Sequence, residues 1–328
     1  MHESELVTPA EIDVIRQGLL ERRQRIEAVA GRADPGQLEE LAAALDSALH
    51  RIEIGVFGVC ERCDAPIEKH QLESDPLARI CIECLSPDER RELEHDLSLA
   101  SNIQLRLLPD RDFETPGWRG SYIYRPHGAV SGDFCEILQD DGRTLLFVGD
   151  ISGKGVAAAL LMSHLSAILR GLADTGRDLG EIMAIANRAF SKSIPAGSFA
   201  TLVGARLAHD GSVELSNAGH VPPLVQNGKI EGLAPDGVPL GLFSGSSYTT
   251  QRAFLGRGDR LILVTDGLTE SRNGDDLEFG LEGLVATVSG HGHLSPAALA
   301  QRLAQEADRF RGGDPATDDT TVMVVERR

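Results

Sequence analysis

The first third of the chain has hydrophobic residues at helical spacing. The run Thr8-Pro9-Ala10-Glu11 is typical of a helix N-terminus, and apolar residues follow it at intervals of three or four. A second run of this kind begins at Asp34, so residues 31–34 are predicted to connect two antiparallel helices. Ser86 opens a third helix that ends at Pro109. Its apolar stripe, which must pack against the following domain or a second copy of the helix, is Leu93, Leu97, Ala100, Ile103 and Leu107.

From Trp118 onward the pattern changes to short apolar runs separated by turns. Alternating and fully apolar runs of this length are typical of strands, and three longer runs between them have helical spacing. Antiparallel strands interrupted by helix pairs predict a layered α+β domain. The predicted strands are 118–125, 132–138, 144–149, 199–207, 213–216, 223–226, 249–255, 260–265 and 320–326, and the predicted helices are 156–172, 179–190 and 296–310.

Four of the five cysteines form two Cys-x-x-Cys pairs. Cys60 and Cys63 are separated from Cys81 and Cys84 by seventeen residues. Two such pairs predict a tetrahedral thiolate site for one structural Zn²⁺, which has no coordination position left for water. A pair of redox-active disulfides is the alternative for the same spacing. Cys135 lies in a strand and is predicted to be a packed thiol.

Acidic residues stand beside several of the predicted strands. Asp133, Asp150, Asp266 and the pair Asp318-Asp319 each adjoin an apolar run of strand type. If those strands are neighbours, the carboxylates converge at one end of a sheet and repel one another unless divalent cations bind them. For any single one of these residues, an Asp that caps a turn is the alternative.

The ordered set of motifs resembles the type 2C metal-dependent Ser/Thr phosphatases, in the bacterial SpoIIE-like branch. The likeness runs from about Ala100 to the C-terminus and includes the acidic motifs, Ile103-Gln-Leu-Arg-Leu-Leu-Pro109, Asn217-Ala-Gly-His220 and Gly237-Val-Pro-Leu-Gly241. It implies a two-sheet β-sandwich flanked by helices. It also implies hydrolysis of phosphoserine or phosphothreonine on a bacterial regulatory protein, such as an anti-sigma-factor antagonist.

The same resemblance implies two Mg²⁺ or Mn²⁺ ions and assigns their ligands. Asp150 bridges the ions, and Ile151 contributes its carbonyl oxygen. Asp266 and Asp318 complete the first ion, and Asp133 holds the second through water.

Five further positions have roles, or departures from the family pattern, that the resemblance suggests. Asp319 is expected to support the ligands, and Arg125 is a candidate for gripping the substrate phosphate, with a surface arginine as the alternative. Ser131 stands where the family usually has Gly, Glu136 where it has Asp, and Lys154 where it often has His.

The stretch from Thr8 to about Leu85 resembles the DksA/TraR proteins, which have a helical hairpin before a four-cysteine zinc finger and act on RNA polymerase. The resemblance makes RNA polymerase a candidate partner. Four Lys or Arg face seven Asp or Glu between Arg51 and Cys84, and the whole chain has a net charge of −18, so direct binding of nucleic acid is not expected.

The predicted organisation has three parts. These are a hairpin and zinc finger at 1–85, a linker helix at 86–108 that could pair in a homodimer, and a phosphatase domain at 109–328. No leader-like start and no apolar run of about 18 residues is evident, so a cytoplasmic protein with no membrane segment is expected. The alternative function is a non-catalytic regulator that binds a transcription partner through the hairpin and finger.

Overall fold

The structure is a computed structural model that describes residues 7–29, 35–140, 142–195, 197–233 and 237–328. It divides into two compact units, Met1–Leu97 and Ser98–Arg328. The predicted hairpin loop at 31–34 lies outside the described residues. The boundary between the units falls inside the predicted linker helix.

The first unit contains a helical hairpin and a small finger. Its helices are α1 (Pro9–Val29), α2 (Pro35–Glu53), α3 (Lys69–Ser74) and the beginning of α4 (Pro87–Leu107). The capping box of α1 is formed, because the Thr8 N–H donates to Glu11 Oε2 at 2.7 Å and the Glu11 N–H donates back to Thr8 Oγ1 at 3.4 Å. α1 packs on α2 through Leu19 and Leu45, both fully buried.

The second unit is built on two antiparallel sheets. The strand orders are β1-β2-β11-β10-β7-β8 in the six-stranded sheet and β3-β4-β5-β6-β9 in the five-stranded sheet. The strands are β1 (Asp112–Thr115), β2 (Trp118–Arg125), β3 (Phe134–Asp140), β4 (Arg143–Ile151), β5 (Ala200–Leu207), β6 (Ser212–Ala218), β7 (Leu224–Gln226), β8 (Ile230–Gly232), β9 (Gln251–Phe254), β10 (Arg260–Val264) and β11 (Thr320–Arg327).

Helices cover the outer face of each sheet. α5 (Gly155–Leu172) and α6 (Leu179–Phe190) pack on the five-stranded sheet, whereas α7 (Asp266–Thr269), α8 (Gly280–Gly290) and α9 (Pro296–Arg311) pack on the six-stranded sheet. The side chains of β4 pack on both faces of its sheet. Leu145 and Phe147 pack against the helices, and the alternate residues Leu146 and Val148 pack against the other sheet. The predicted two-sheet sandwich flanked by helices is confirmed.

The expectation that no segment is long and apolar enough to span a membrane was wrong for α5. This 18-residue helix passes that test by length and composition. Its buried face, however, packs on the sheet core through Ala158, Met162, Leu165 and Leu169. α5 is therefore a core helix of the second unit.

The apolar stripe predicted on α4 is partly exposed, since two of its five residues are exposed and three are half-buried. Its member Leu93 is 38% exposed and Ile103 is 54% exposed, whereas Gln104, next to Ile103, is only 5% exposed. The packing of α4 on the second unit therefore includes a polar side chain that the hydrophobic pattern did not single out.

Candidate metal centres

The predicted acidic residues stand where strands of both sheets end. Asp133 directly precedes β3, Asp150 is the last but one residue of β4, and Asp266 begins α7 after β10. Phe134 pairs with Gly149 in the register of β3 and β4, so the next residues outward, Asp133 and Asp150, adjoin across these strands. Asp318 and Asp319 directly precede β11. The fold thus brings together acids that lie far apart along the chain.

Asp133 is buried and held by residues of the opposite sheet. Its Oδ2 atom accepts hydrogen bonds from the hydroxyls of Thr265 and Thr321, both at 2.7 Å. Its Oδ1 atom is buried and has no hydrogen-bond partner among the described residues. Burial, and then the charge of Asp150, raise the pKa of Asp133 well above its ordinary value. A buried carboxylate oxygen without a donor can be satisfied by a cation.

Asp150 has other carboxylates around it. Burial first, and then the charges of Asp266, Asp318 and Asp319, raise its pKa to about 8. Gly132 permits close packing here, because a Cβ atom on it would lie 2.9 Å from the Ile151 carbonyl oxygen and 3.1 Å from Asp150 Oδ1. A proton on Asp150 relieves the repulsion among these acids when no cation does so.

Asp266 and Asp318 form the other side of the cluster. Burial raises the pKa of Asp266, and the nearby charges of Glu270 and Asp318 raise it further. Asp318 Oδ2 lies 3.1 Å from Lys154 Nζ, and its Oδ1 accepts from the Asp319 N–H at 2.9 Å. Gly267 allows the two segments to approach, since a Cβ atom there would lie 1.9 Å from the Asp319 carbonyl oxygen.

Both carboxylate oxygens of Asp319 accept hydrogen bonds from backbone N–H groups. Oδ1 accepts from the His127 N–H at 2.7 Å, and Oδ2 accepts from the Gly132 N–H at 2.9 Å. This carboxylate therefore joins the start of β11 to the loop that leads to Asp133. This geometry suits Asp319 to stabilise the loop that carries Asp133.

The donor set fits hard divalent cations. Clustered aspartate oxygens and a carbonyl oxygen are the ligands that Mg²⁺ and Mn²⁺ prefer. The raised pKa values of Asp133 and Asp150 and the unpaired Oδ1 of Asp133 show that their negative charge is not neutralised by the side chains around them. The donor atoms of this chain, and the negative charge that they carry, therefore fit Mg²⁺ or Mn²⁺.

Two of the other singled-out residues pair with structural partners. Arg125 Nη1 lies 2.9 Å from Asp308 Oδ2 of α9, in a half-exposed ion pair. Glu136 is 2% exposed and accepts hydrogen bonds from Ser166 and from Arg170 Nε, the latter at 2.9 Å. Arg170 also donates to the Leu107 carbonyl oxygen, so Glu136 links the five-stranded sheet to the end of α4.

The motif Asn217-Ala-Gly-His220 forms a turn. The His220 N–H donates to Asn217 Oδ1 at 2.8 Å, and Gly219 has a φ of 68° that favours glycine. The buried His220 ring contacts the Thr201 hydroxyl at 2.8 Å through Nδ1, and burial lowers the pKa of His220 to about 4. A neutral imidazole inside the fold is a structural feature of this turn.

The four cysteines of the finger converge on a second site. The sulfur atoms of Cys60, Cys63, Cys81 and Cys84 all lie within 4.8 Å of one another, and those of Cys63 and Cys81 are 3.7 Å apart. Zn–S bonds of about 2.3 Å in a tetrahedron put sulfur atoms about 3.8 Å apart. The Cys81 N–H also donates to Cys60 Sγ at 3.3 Å. The cluster is a metal-binding site of four cysteines.

Sequence reasoning missed several residues that build the acidic site. Thr265 precedes Asp266 and Thr321 follows Asp319-Thr320, so their positions beside the acidic motifs were a usable signal. Gln104 lies in the quoted motif Ile103-Gln-Leu, but only tertiary contacts show what its amide does. Lys154 was noted only as a departure from a family pattern.

Comparisons with known proteins find a family match within the second unit. Residues 140–328 match the family model described as Stage II sporulation protein E (SpoIIE). Phosphoserine phosphatase RsbU of Bacillus subtilis (strain 168) is 27% identical over 187 residues, which is 56% of this chain and 56% of RsbU. The SiaA-PP2C domain of Pseudomonas aeruginosa has a TM-score of 0.64 at 20% identity, covers 73% of this chain and 98% of the domain, and shows the fold.

A different curated relative matches a short part of the chain. The RNA polymerase-binding transcription factor DksA of Caulobacter vibrioides (strain NA1000 / CB15N) is 39% identical over 56 residues, which is 17% of this chain and 39% of DksA. The chain thus spans little more than half of RsbU and less than half of DksA.

Proposed function

The chain belongs to the SpoIIE family, and on that premise we propose that it is a metal-dependent phosphatase for phosphoserine or phosphothreonine in a bacterial regulatory protein. The observation that carries the proposal is the convergence of Asp133, Asp150, Asp266 and Asp318 from two sheets. RsbU, a phosphoserine phosphatase by name, supports the substrate class. An anti-sigma-factor antagonist is the substrate that the sequence resemblance favours.

In this proposal the aspartates hold two Mg²⁺ or Mn²⁺ ions. The carboxylate of Asp150 would serve both ions, the Ile151 carbonyl oxygen and the carboxylates of Asp266 and Asp318 would hold the first, and Asp133 would hold the second through water. When bound, such ions lower the pKa of water to near neutrality and stabilise negative charge on phosphoryl oxygens. The donor chemistry and the raised pKa values described above support this assignment.

The remaining residues of the site position these ligands. Thr265 and Thr321 direct one oxygen of Asp133 into the protein, which leaves its other oxygen for the centre. Asp319 holds the backbone of Gly132, and Gly132 itself lies against Asp150 and the Ile151 carbonyl. Arg125 stays a candidate for the substrate phosphate, although its ion pair with Asp308 favours a structural role.

The first unit would regulate this activity. We propose that Cys60, Cys63, Cys81 and Cys84 hold one structural Zn²⁺, that 1–85 forms the hairpin-finger module, and that 86–108 links it to a phosphatase domain at 109–328. The exposed apolar residues of α4 would pair with a second copy of the chain. A cytoplasmic location fits such a protein.

The function is tested by Mn²⁺-dependent release of phosphate from a phosphoserine peptide. We expect turnover by the native chain, and loss of more than about a hundredfold in Asp150→Asn and in Asp266→Asn, because each variant removes a ligand charge. Asp174→Asn, which changes an exposed acid at the end of α5, should keep full activity. Equal activity in Asp150→Asn and the native chain would reject the assignment.

A second candidate function rests on the match to DksA. A non-catalytic regulator would bind RNA polymerase through the hairpin and finger, and its phosphatase-like domain would be a scaffold. Binding of purified RNA polymerase by the native chain and by Asp150→Asn, together with absence of Mn²⁺-dependent turnover, would favour this alternative.

A further inference from the structure

Lys154 lies at the edge of the acidic cluster. It belongs to the short loop between β4, which carries Asp150, and α5, of which it is the N-cap residue. Gly153 and Gly155 on either side have φ values of 94° and 74°, which favour glycine. The backbone of this loop therefore turns sharply on both sides of the lysine and directs its side chain back toward β11.

The ammonium group contacts the segment that precedes β11. Nζ donates to the Thr317 carbonyl oxygen at 2.7 Å and lies 3.1 Å from Asp318 Oδ2. The first contact is a hydrogen bond and the second is an ion pair, and an ammonium group has three N–H donors. The Lys154 side chain is 54% exposed, so the group is accessible from solvent.

The pair with Asp318 contributes little to folding. Half-exposed ion pairs of this kind stabilise the folded state only slightly because water screens them. The Asp318 carboxylate, however, raises the pKa of Asp150 and of Asp266, so its charge acts on the other members of the acidic cluster. Lys154 is therefore better placed to act on the charge of the site than on the stability of the fold.

We propose that Lys154 is a displaceable counter-ion of Asp318: a divalent cation takes over this carboxylate, and the released ammonium then binds the phosphoryl group of the substrate. The physical reason is the competition of two cations for one carboxylate. Once Asp318 binds a divalent ion, the ion repels the nearby ammonium, and a phosphate dianion provides the favourable partner. The proposal rests on the proposed function, since it assumes that Asp318 is a metal ligand.

The proposal predicts opposite changes in two affinities when the charge is removed. In Lys154→Met, Mn²⁺ binding without substrate should become about threefold to fivefold tighter, because the competing ion pair is lost. Binding of inorganic phosphate to the Mn²⁺-loaded chain should become about tenfold weaker, because a charge-assisted hydrogen bond is lost. Lys154→Arg, which keeps the positive charge, should stay near the native chain in both.

The experiment measures Mn²⁺ by electron paramagnetic resonance titration and inorganic phosphate by isothermal titration calorimetry, on the full chain. Lys229→Met is the matched control, because Lys229 forms an exposed ion pair with Glu231 at 2.5 Å on the distant β8 edge. It should change neither affinity. A general folding defect would weaken both affinities together, which the proposal does not allow.

Two outcomes would overturn the proposal. Unchanged or weaker Mn²⁺ binding in Lys154→Met would show that the lysine does not compete for Asp318, and unchanged phosphate binding would show that it does not receive the substrate. Failure of the proposed function would be distinct, because the native chain would then show no Mn²⁺-dependent turnover.

Discussion

The side-chain amide of Gln104 holds both backbone groups of Ser131. Its Nε2 atom donates to the Ser131 carbonyl oxygen at 2.7 Å, and the Ser131 N–H donates to its Oε1 atom at 2.9 Å. Ser131 in turn accepts from the Asp133 N–H at 3.0 Å through its hydroxyl. Two hydrogen bonds therefore join the last turns of α4 to the loop that carries Asp133.

We predict that Gln104→Met loosens this loop. The substitution keeps the side-chain length but leaves two buried backbone groups without partners, at a cost of about 1–3 kcal/mol each. Both the melting temperature and the Mn²⁺ affinity should fall, measured by calorimetry and by metal titration. Asn102→Met on the exposed side of α4 is the control and should change neither. Unaltered Mn²⁺ affinity in Gln104→Met would mean that α4 does not position Asp133.

We predict that zinc content depends on the finger cysteines and not on Cys135. Cys81→Ser should reduce zinc from one ion per chain to well below one, measured by metal analysis of the purified protein. Because structural zinc stabilises its module, residues 1–85 should also become sensitive to protease. Cys135→Ala is the control, since Cys135 packs between the two sheets. Full zinc content in Cys81→Ser would contradict the site.

We predict that the metal-free protein loses stability as pH rises. Asp150 has a pKa raised from 3.8 to about 8, so the folded state keeps a proton that the unfolded chain releases. Its contribution to stability is full below about pH 4 and is lost as pH rises through about 8. For the same reason Mn²⁺ affinity should increase over this range, because the ion displaces that proton.

Asp150→Asn tests this titration directly. In chelator at about pH 8, the variant should melt a few degrees above the native chain, because the repulsion among the carboxylates is reduced and 1 kcal/mol corresponds to about 2–4 °C for a domain of this size. It should also lose most of the stabilisation by Mn²⁺. The control Asp174→Asn should follow the native chain at every pH. A lower melting temperature for metal-free Asp150→Asn would contradict the prediction.

We predict that α4 mediates self-association. Leu99 and Ile103 are each more than half exposed and lie one turn apart on this helix. Ile103→Asp should shift the chain from dimer to monomer, measured by light scattering with size-exclusion chromatography. Asn102→Asp adds the same charge at an exposed polar position and should leave the dimer intact. A monomeric native chain would show that Leu99 and Ile103 do not pair with a second copy.

Local sequence signals were sufficient where the interactions are local. Strand 118–125 and helix 179–190 were predicted with the same bounds as β2 and α6 in the structure. The strand alternation and the helical spacing of apolar residues mark the faces that these elements bury. The reciprocal hydrogen bonds of Ser86 and Glu89 follow from residues three apart, as the capping box predicts. The spacing of the cysteines likewise predicted which four thiols meet.

Short or glycine-flanked elements gave weaker signals. α8 was not predicted, because it begins and ends at glycine, contains Gly283, and has no side-chain cap. β1 and β8, with four and three residues, are too short to show a period. Their positions depend on pairing with β2 and β7, which the sequence does not encode locally.

Sequence patterns alone specified the types of the longer periodic elements, the two-sheet class through the family motifs, and the acids and thiols that the proposed chemistry uses. Only the tertiary structure decided their partners. Thr265 and Thr321 bind Asp133 from 132 and 188 residues away, and Lys154 meets Thr317 across 163 residues. Hydrogen bonds and charge effects act over a few ångströms in space. Once two sheets bring distant segments together, no period or spacing along the chain can report them.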